Sequence, residues 1–261
     1  MRLDNLTTDS RKIVASMGQY KLLEYIKDES VSPGNAMYEY YMEKMNVHRR
    51  QVIVQMNGNM PVILQAGAMQ WMAGNIDVRT NVQGVGDLIG KAFSAKVTKE
   101  SAIKPMYQGQ GLLALEPTYK YIIFEDVSQW PGGMVLEDGM FLAADASLQQ
   151  RTVARQNLSS AALGGEGLFN LCLNGNGIAV LESNVPREEL IVAHLNNETL
   201  KLDGPLAVCW SGSLQFTVER TTKTLIGSAA SGEGLVNVYR GTGTVWYAPV
   251  TNTSSLYSAT H

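Results

Sequence analysis

A chain of 261 residues is long enough for one large domain or several small ones, and 45% hydrophobic residues are enough for a packed core. Its 25 glycines and low charged fraction of 17% favour many short strands joined by tight turns. The formal net charge of -3 argues against nucleic-acid binding, because the one dense basic spot, Arg49-Arg50, is too small to attract phosphates.

The two cysteines and the N-terminus bear on the cellular compartment. Cys172 and Cys209 each lie in an apolar, strand-like run, which favours buried reduced thiols over a disulfide or a metal site. The first residues lack the apolar core of a signal peptide, and no stretch approaches the ~20 apolar residues of a membrane span. We therefore expect a cytoplasmic protein without a transmembrane segment.

The first 45 residues differ from the rest, being poor in glycine and richer in methionine, tyrosine, lysine and glutamate. Met37, Tyr41 and Met45 recur at four-residue steps, which predicts a helix with Ser32 as N-cap and Pro33 as its first residue. A methionine and tyrosine stripe fits packing better than partner recognition. We expect this extension to pack on the β body or on an adjacent subunit.

Two more patterns occur before residue 65. Ile13, Met17 and Tyr20 predict a weaker helix that Gly18 interrupts. From residue 51, apolar and other residues alternate on both sides of Asn57-Gly58. This pattern is typical of a hairpin closed by an Asn-Gly turn.

In the rest of the chain, a nine-residue stretch occurs twice in nearly the same form, at 165–173 and 232–240, and a less similar copy of it lies at 109–115. Each copy has two glycines flanking one residue and then alternating side chains, which predicts a strand entered through a bulge or tight bend. Asn170 and Asn237 occupy matching positions. We expect them to hydrogen-bond a neighbouring loop or another copy, and a symmetric site for a polar ligand is the alternative.

A glycine turn also precedes each copy, at Gly67, Gly139 and Gly204, and begins another alternating strand. The spacing of equivalent glycines exceeds the ~20–50 residues of solenoid repeats, so each copy is predicted to be a small β module of its own. The predicted division is a partly helical extension at 1–45, β modules at 46–127, 128–184 and 185–250, and a tail at 251–261.

The connector at 84–91 is glycine-rich and long, and it is either a mobile flap or a contact with another subunit. It does not fit a phosphate-binding loop, because the glycine spacing differs and Ala92 stands where a Ser or Thr would hold magnesium. A dinucleotide fingerprint is excluded as well, since no βαβ pattern surrounds Gly84-Val85-Gly86.

No constellation in the sequence predicts catalysis. His48, His194 and His261 do not repeat between copies and do not have metal-ligand spacing. Three acidic pairs could hold calcium or act as an acid–base couple, but turn residues adjoin them, and solvated loop carboxylates are the favoured interpretation. These pairs are Glu125-Asp126, Glu137-Asp138 and Glu188-Glu189. We predict no catalytic, cofactor-binding or metal site.

The glycine-rich stretches resemble the altered-inheritance-of-mitochondria protein 24 family. The resemblance rests on the sequence Gly-Glu-Gly-Leu-Val-Asn-Val-Tyr-Arg-Gly-Thr-Gly-Thr-Val-Trp at 232–246, with further matches at 65–69 and 136–139. It covers roughly 51–249 and weakens at 107–111. It implies three tandem modules similar to the tryptophan RNA-binding attenuation protein (TRAP) fold, a shortened double-stranded β-helix or β-sandwich. It also implies pseudo-threefold symmetry, a homotrimer and no catalytic residues.

The sequence thus predicts an all-β fold of three TRAP-like modules with a short helical N-terminal extension. Ring closure would cover the sheet edges of such modules, and Trp71, Trp210 and Trp246 are candidate anchors between modules or subunits. The leading hypothesis is a non-enzymatic homotrimeric scaffold or interaction protein that binds itself and an unknown protein partner. The alternative is a ring that binds a small ligand or RNA, by analogy with the fold.

Overall fold

The computed structural model describes residues 3–80, 104–154, 169–220 and 235–250. Within these ranges the protein is all-β, with two curled sheets and one short α-helix, α1 (Ala36–Lys44). The strands are β1 (Arg11–Met17), β2 (Tyr20–Tyr25), β3 (Arg50–Asn57), β4 (Val62–Leu64), β5 (Met69–Arg79), β6 (Met106–Leu115), β7 (Tyr121–Asp126), β8 (Met134–Leu136), β9 (Phe141–Asp145), β10 (Gln149–Ala154), β11 (Phe169–Asn174), β12 (Ile178–Ser183), β13 (Ile191–Asp203), β14 (Ala207–Ser211), β15 (Gln215–Arg220) and β16 (Leu235–Tyr247).

Several predicted features lie outside the described residues. They are the connector at 84–91, the Gly-Glu-Gly steps at 165–167 and 232–234, the tail at 251–261 and His261. In the part of the chain that the structure describes, no helix is long and apolar enough to cross a membrane.

The strands form two antiparallel sheets. The first has the order β1-β2-β3-β6-β4-β9-β12-β7, with β5 also paired to β6, and the second has the order β10-β11-β8-β14-β16-β13, with β15 also paired to β16. Three large clusters of buried apolar side chains lie along the chain. They centre on β3–β6, on β7–β12 and on β13–β16.

The N-terminal segment begins with a β-hairpin. The predicted helix through Ile13, Met17 and Tyr20 is wrong, because β1 and β2 pair with each other around Gly18, whose φ of 54 suits a tight reversal. β2 then pairs with β3, and Tyr20 and Leu23 are buried there. Pairing with a distant strand therefore overrides the weak local helical pattern.

The second predicted helix is confirmed as α1, but Asn35 rather than Ser32 is the N-cap. Asn35 Oδ1 accepts hydrogen bonds from the backbone N and Oγ of Ser32, at 2.8 and 2.9 Å. These bonds close a turn over residues 33–35, so the helix begins three residues later than predicted. None of the residues of α1 is buried.

The predicted hairpin around Asn57-Gly58 is wrong. The chain does turn there, since Gly58 has φ 88 and Asn57 Oδ1 accepts a hydrogen bond from Asn59 N at 3.0 Å. However, β3 and β4, which are both fully described, pair with different parts of β6 and not with each other. β5 pairs along the whole of one edge of β6. β3 and β4 therefore lie one after the other along the opposite edge of β6, and the turn joins them.

Candidate functional site

The acidic pairs differ in their surroundings. Trp130 Nε1 donates a hydrogen bond to Glu125 Oε1 at 3.0 Å, and burial raises the pKa of Glu125. Glu137 is also buried. Solvated loop carboxylates are therefore the wrong interpretation for Glu125 and Glu137. Across the described ranges, no three His, Cys, Asp or Glu side chains lie close enough together to hold a metal ion.

The two cysteines are buried free thiols, as predicted. Burial raises the pKa of both Cys172 and Cys209, which keeps the thiols protonated and poorly nucleophilic at neutral pH. His194 Nδ1 lies 3.1 Å from Thr244 Oγ1 on the neighbouring strand, an exposed contact across β13 and β16.

The strands after α1 divide into three sets with the same pairing scheme. The first set is β3–β6, the second is β7–β12 and the third is β13–β16. In each set, the strand after the glycine turn pairs with the closing strand, and a bulge follows the first pair. These first pairs are Met69 with Leu115, Phe141 with Leu181, and Ala207 with Tyr247.

This register assigns a different counterpart to the first Gly-x-Gly motif. The closing-strand residues of the first pairs are Leu115, Leu181 and Tyr247, and a glycine lies four positions before each of them. Gly111 therefore corresponds to Gly177 and Gly243 rather than to the Gly-Glu-Gly stretches. Added Cβ atoms at Gly177 and Gly243 would each lie 3.0 Å from the Cγ of a leucine that follows a turn, Leu148 or Leu214. The prediction that 109–115 is a copy of 165–173 and 232–240 is therefore wrong, because the strand register aligns it with later residues.

The two asparagines are structural hydrogen-bond donors, as predicted. Asn170 Nδ2 donates to the Leu136 carbonyl at 2.9 Å, and Asn237 Nδ2 donates to the Gly204 carbonyl at 3.1 Å. Both residues are buried. Each amide therefore holds the end of a strand or its glycine turn.

The three sets are joined by two junctions with the same register. β4 of the first set pairs with β9 of the second, and β8 of the second pairs with β14 of the third. Every residue of β9 and β14 is buried. The paired residues are Val62 with Asp145, Ile63 with Ala144 and Leu64 with Ala143, and then Met134 with Ser211, Val135 with Trp210 and Leu136 with Cys209.

The middle residue of each short strand enters the core of the next set. Ile63 packs against the cluster of the second set, and Val135 belongs to the cluster of the third. Trp210, one of the predicted anchors, pairs with Val135 and is 1% exposed. Its ring centroid lies 5.1 Å from that of Phe216 and 5.3 Å from that of Tyr239. Each junction is thus continuous with a hydrophobic core.

Trp246, a second predicted anchor, lies in the core near the second junction. Its ring centroid is 5.0 Å from that of Trp130, and the guanidinium of Arg187 lies 3.7 Å above the ring. In the sheet it pairs with Val192 on β13 and Cys209 on β14. Trp246 therefore connects a loop of the second set with strands of the third.

The corresponding edges at the two ends of the chain lack partner strands. Within the described ranges, β5 pairs only with β6 and β13 only with β16. By register, Met72 on β5 is the counterpart of Trp210, and it is 43% exposed. Lys201 on β13 is the counterpart of Val135, and it is exposed. Among the described residues, β5 thus has an open edge that corresponds to the paired edges of β9 and β14, and β13 has one that corresponds to those of β4 and β8.

The N-terminal segment covers part of the first set. Leu23 of β2 packs with Ile53 and Ala114, and Leu6 and Trp71 lie against this group. The expectation that the extension packs on the β body is confirmed. Trp71, the third predicted anchor, contacts this segment of its own chain, while the outer backbone edge of β5 has no partner strand among the described residues.

Comparisons with known proteins agree with this architecture. Residues 43–250 match the family model AIM24, described as mitochondrial biogenesis AIM24. The uncharacterised protein M6_Spy0233 of Streptococcus pyogenes serotype M6 is 31% identical over 193 residues, which are 71% of this chain and 75% of that protein. The crystal structure of protein SPYM3_0169 from Streptococcus pyogenes superposes with a TM-score of 0.61 at 23% identity, over 95% of this chain and 96% of the other. With most of its length matched by the family model, the chain belongs to the AIM24 family.

Proposed function

We propose that this protein is a non-enzymatic β scaffold that assembles as a homotrimer through the open edges of β5 and β13. One observation carries the proposal. The same three-residue strand pairing joins two sets twice inside the chain. The corresponding edges of β5, in the first set, and β13, in the third, have no partner strand among the described residues. Open edges with unpaired backbone groups favour pairing with another chain.

The three strand sets are, in this proposal, tandem TRAP-like modules. The support is their common scheme of short antiparallel strands, with a glycine turn, a bulge after the same pair and a Gly-x-Gly step ahead of that pair on the chain that forms the closing strand. Three separate apolar clusters, one for each set, agree with this division. A chain of similar modules that join edge to edge is suited to making larger rings.

The register of the internal junctions predicts the contact between subunits. Its central pair is Met72 of one chain and Lys201 of the next, and the methylene stem of the lysine can pack on the methionine while its ammonium group stays in water. The three pairs expected from the register are Trp71 with Leu202, Met72 with Lys201 and Ala73 with Leu200.

The contact is proposed between chains rather than within one. A pseudo-threefold arrangement inside a single chain would bring β13 back to β5, but these two fully described strands do not pair with each other. Head-to-tail contacts between copies close into a ring when the rotation allows it. The number of three subunits comes from the family resemblance noted in the sequence.

The experiment is the mass in solution, measured by size-exclusion chromatography with light scattering. We expect the wild type to have three chain masses and Met72→Lys to be a monomer, because the new lysine opposes Lys201 across the contact. Val78→Lys is the matched control, since Val78 is equally exposed on β5 but outside the three predicted pairs. Its mass should equal that of the wild type.

A charge-swap variant tests the specific pairing. Lys201→Glu, combined with Met72→Lys, replaces the repulsion with an opposite-charge pair and should restore the trimer. A monomeric wild type would rule out the assembly. A trimer that persists in Met72→Lys would show that another surface holds the subunits together. The ring that binds a small ligand or RNA stays the untested alternative.

A further inference from the structure

A pocket lies beside α1, between the helix, the segment after β2 and the start of β3. Its volume is about 210 Å³, and its lining includes Tyr25, Tyr40 and Tyr119 together with Val31 and Val47. Sites for drug-sized ligands usually have about 300–1,000 Å³. This pocket therefore suits a smaller group, of the size of one amino-acid side chain.

Arg49 lines the pocket, and its own contacts are already made. Its Nη2 lies 3.0 Å from Asp28 Oδ2 and 3.1 Å from Glu39 Oε1, and donates to Tyr119 OH at 3.0 Å. Its guanidinium also lies 5.9 and 5.4 Å from the rings of Tyr25 and Tyr119. Burial alone would lower the pKa of Arg49, but the Tyr119 hydrogen bond and the two carboxylates raise it. The cation is thus neutralised within the protein.

The charge balance of the pocket favours a cationic ligand. Three carboxylates line it, those of Asp28, Glu39 and Glu43, together with the guanidinium of Arg49 and the imidazole of His48. Asp28 Oδ2 is buried, and Arg49 is its one ion-pair partner among the described residues. Glu43 has no ion pair within the described part of the chain. An anion would meet net repulsion here, whereas a cation would be attracted.

The tyrosines support the same choice. Tyrosine ring faces attract ammonium and guanidinium groups, and the two cations nearest the pocket already lie over such rings. Lys44 Nζ lies 5.3 Å from the ring centroid of Tyr40, and Arg49 lies over two other rings. Val31 and Val47 add apolar wall, which suits a hydrocarbon stem.

We propose that this pocket binds an organic cation of side-chain size, an alkylammonium or guanidinium group carried on an apolar stem. The carboxylates of Glu43 and Asp28 neutralise the head, and the tyrosines and valines contact the stem. The same chemistry is found in free diamines and in the lysine and arginine side chains of a protein partner. The pocket is lined by residues between 25 and 49 and by Tyr119, so it does not depend on the β5 and β13 edges.

Ligand-observed saturation-transfer NMR on the full-length protein tests the proposal. The probes are 1,5-diaminopentane and agmatine, with pentanol and pentanoate as the neutral and anionic comparators. We expect saturable binding of the two cations in the millimolar range and none of the comparators. Acetylated tripeptides Gly-Lys-Gly and Gly-Arg-Gly form a second arm, in which tighter binding than the free amines identifies a protein side chain as the favoured source.

Single substitutions locate the binding. Glu43→Gln should weaken diamine binding about two- to fivefold, as expected for an exposed ion pair. It should not disturb the fold, because Glu43 is exposed and has no ion pair with the described residues. Glu188→Gln is the matched control, an exposed glutamate far along the chain, and should bind like the wild type. Tyr40→Leu should also weaken binding by removing a ring face.

Two results would overturn the proposal. One is equal binding of 1,5-diaminopentane and pentanol to the wild type, which includes binding of neither. The other is unchanged diamine affinity in both Glu43→Gln and Tyr40→Leu. The Met72→Lys variant should bind the diamine like the wild type, so failure of the trimer and failure of the pocket are separate results.

Discussion

The two junctions inside the chain and the two outer edges use the same strand register with different side chains. At the junctions, apolar residues such as Ile63 and Val135 cover fully buried strands. At the outer edges, the exposed Lys201 stands where the junctions have Ile63 or Val135, and the half-exposed Met72 stands where they have Ala144 or Trp210. The register alone therefore does not make an edge suitable for a permanent junction, since the middle residue of β13 is charged where β4 and β8 carry an apolar residue.

The two outer edges also differ from each other. The first set is partly covered by the N-terminal segment through Leu6 and Leu23. The third set instead presents Lys201, and a charged residue on an edge strand discourages indiscriminate pairing. Protection by a cover and protection by a charge would together restrict the open edges to one specific partner.

The largest effect is expected at the second junction. Trp210→Ala removes a buried ring that contacts Phe216 and Tyr239, and should lower the free energy of unfolding by about 3–5 kcal/mol. Met72→Ala, at the equivalent position on the open edge, should cost less than about 0.5 kcal/mol within the subunit. Urea unfolding followed by circular dichroism measures both. Trp210→Ala is compared in the Met72→Lys background, which we expect to be monomeric. Similar losses at the two positions would contradict the distinction between junction and edge.

A smaller effect is expected from the polar residue that ends β9. Asp145 accepts hydrogen bonds from Ile178 N at 2.9 Å, Tyr20 OH at 3.0 Å and Gln19 Nε2 at 2.8 Å. It thereby ties the N-terminal hairpin to the second set. Burial, and then the nearby charge of Asp145, raises the pKa of Tyr20, so the phenol stays a donor.

Asp145→Ala should therefore lower the free energy of unfolding by about 2–3 kcal/mol, because buried donors lose their acceptor. The equivalent Ser211 accepts only from Thr244 N, at 2.9 Å, among the bonds of the described chain, and Ser211→Ala should cost about 1 kcal/mol. Urea unfolding compares the two variants directly. Equal losses would mean that the bonds to the N-terminal hairpin add nothing to the stability of the second set.

The sequence predicted the features that depend on local chemistry. Glycines at turns and alternating side chains indicated the all-β class. The four-residue spacing of Met37, Tyr41 and Met45 indicated α1. Apolar neighbours in the sequence indicated that Cys172 and Cys209 are buried. Each of these signals lies within a few residues of the element that it predicts. Local patterns of this kind need no knowledge of distant partners.

The features that the sequence did not predict depend on distant partners. β2 is a strand because β3 pairs with it, although Ile13, Met17 and Tyr20 also fit a helical period. The Gly-x-Gly step at 109–111 resembles in sequence both 165–167 and 175–177 of the second set. Only the position of the β-bulge in the pairing with the closing strand identifies 175–177 as its counterpart. Since a shift of one residue moves every side chain to the other face of a sheet, similarity by letters does not fix register. The pocket beside α1 was missed because its carboxylates and tyrosines come from four separate segments.

The smallest effect is expected on the outer strand β15. Arg240 Nη2 donates to Glu219 Oε2 at 2.8 Å and Thr217 Oγ1 donates to Glu219 Oε1 at 2.7 Å, whereas the equivalent pair in the second set is Val153 and Asn174. The Arg240 hydrogen bond, followed by that of Thr217, lowers the pKa of Glu219 from 4.5 to about 2.

A carboxylate whose pKa is lower in the folded state stabilises the fold above its unfolded pKa and loses this contribution as the pH falls. The wild type should therefore melt slightly higher than Glu219→Gln at pH 6, and the difference should shrink between about pH 4.5 and 2. The difference stays small because water screens both partly exposed side chains. Thermal melts over this pH range measure it, with Glu188→Gln as the control for the loss of one surface charge. A gap that widens as the pH falls would show that the ion pair does not stabilise this edge.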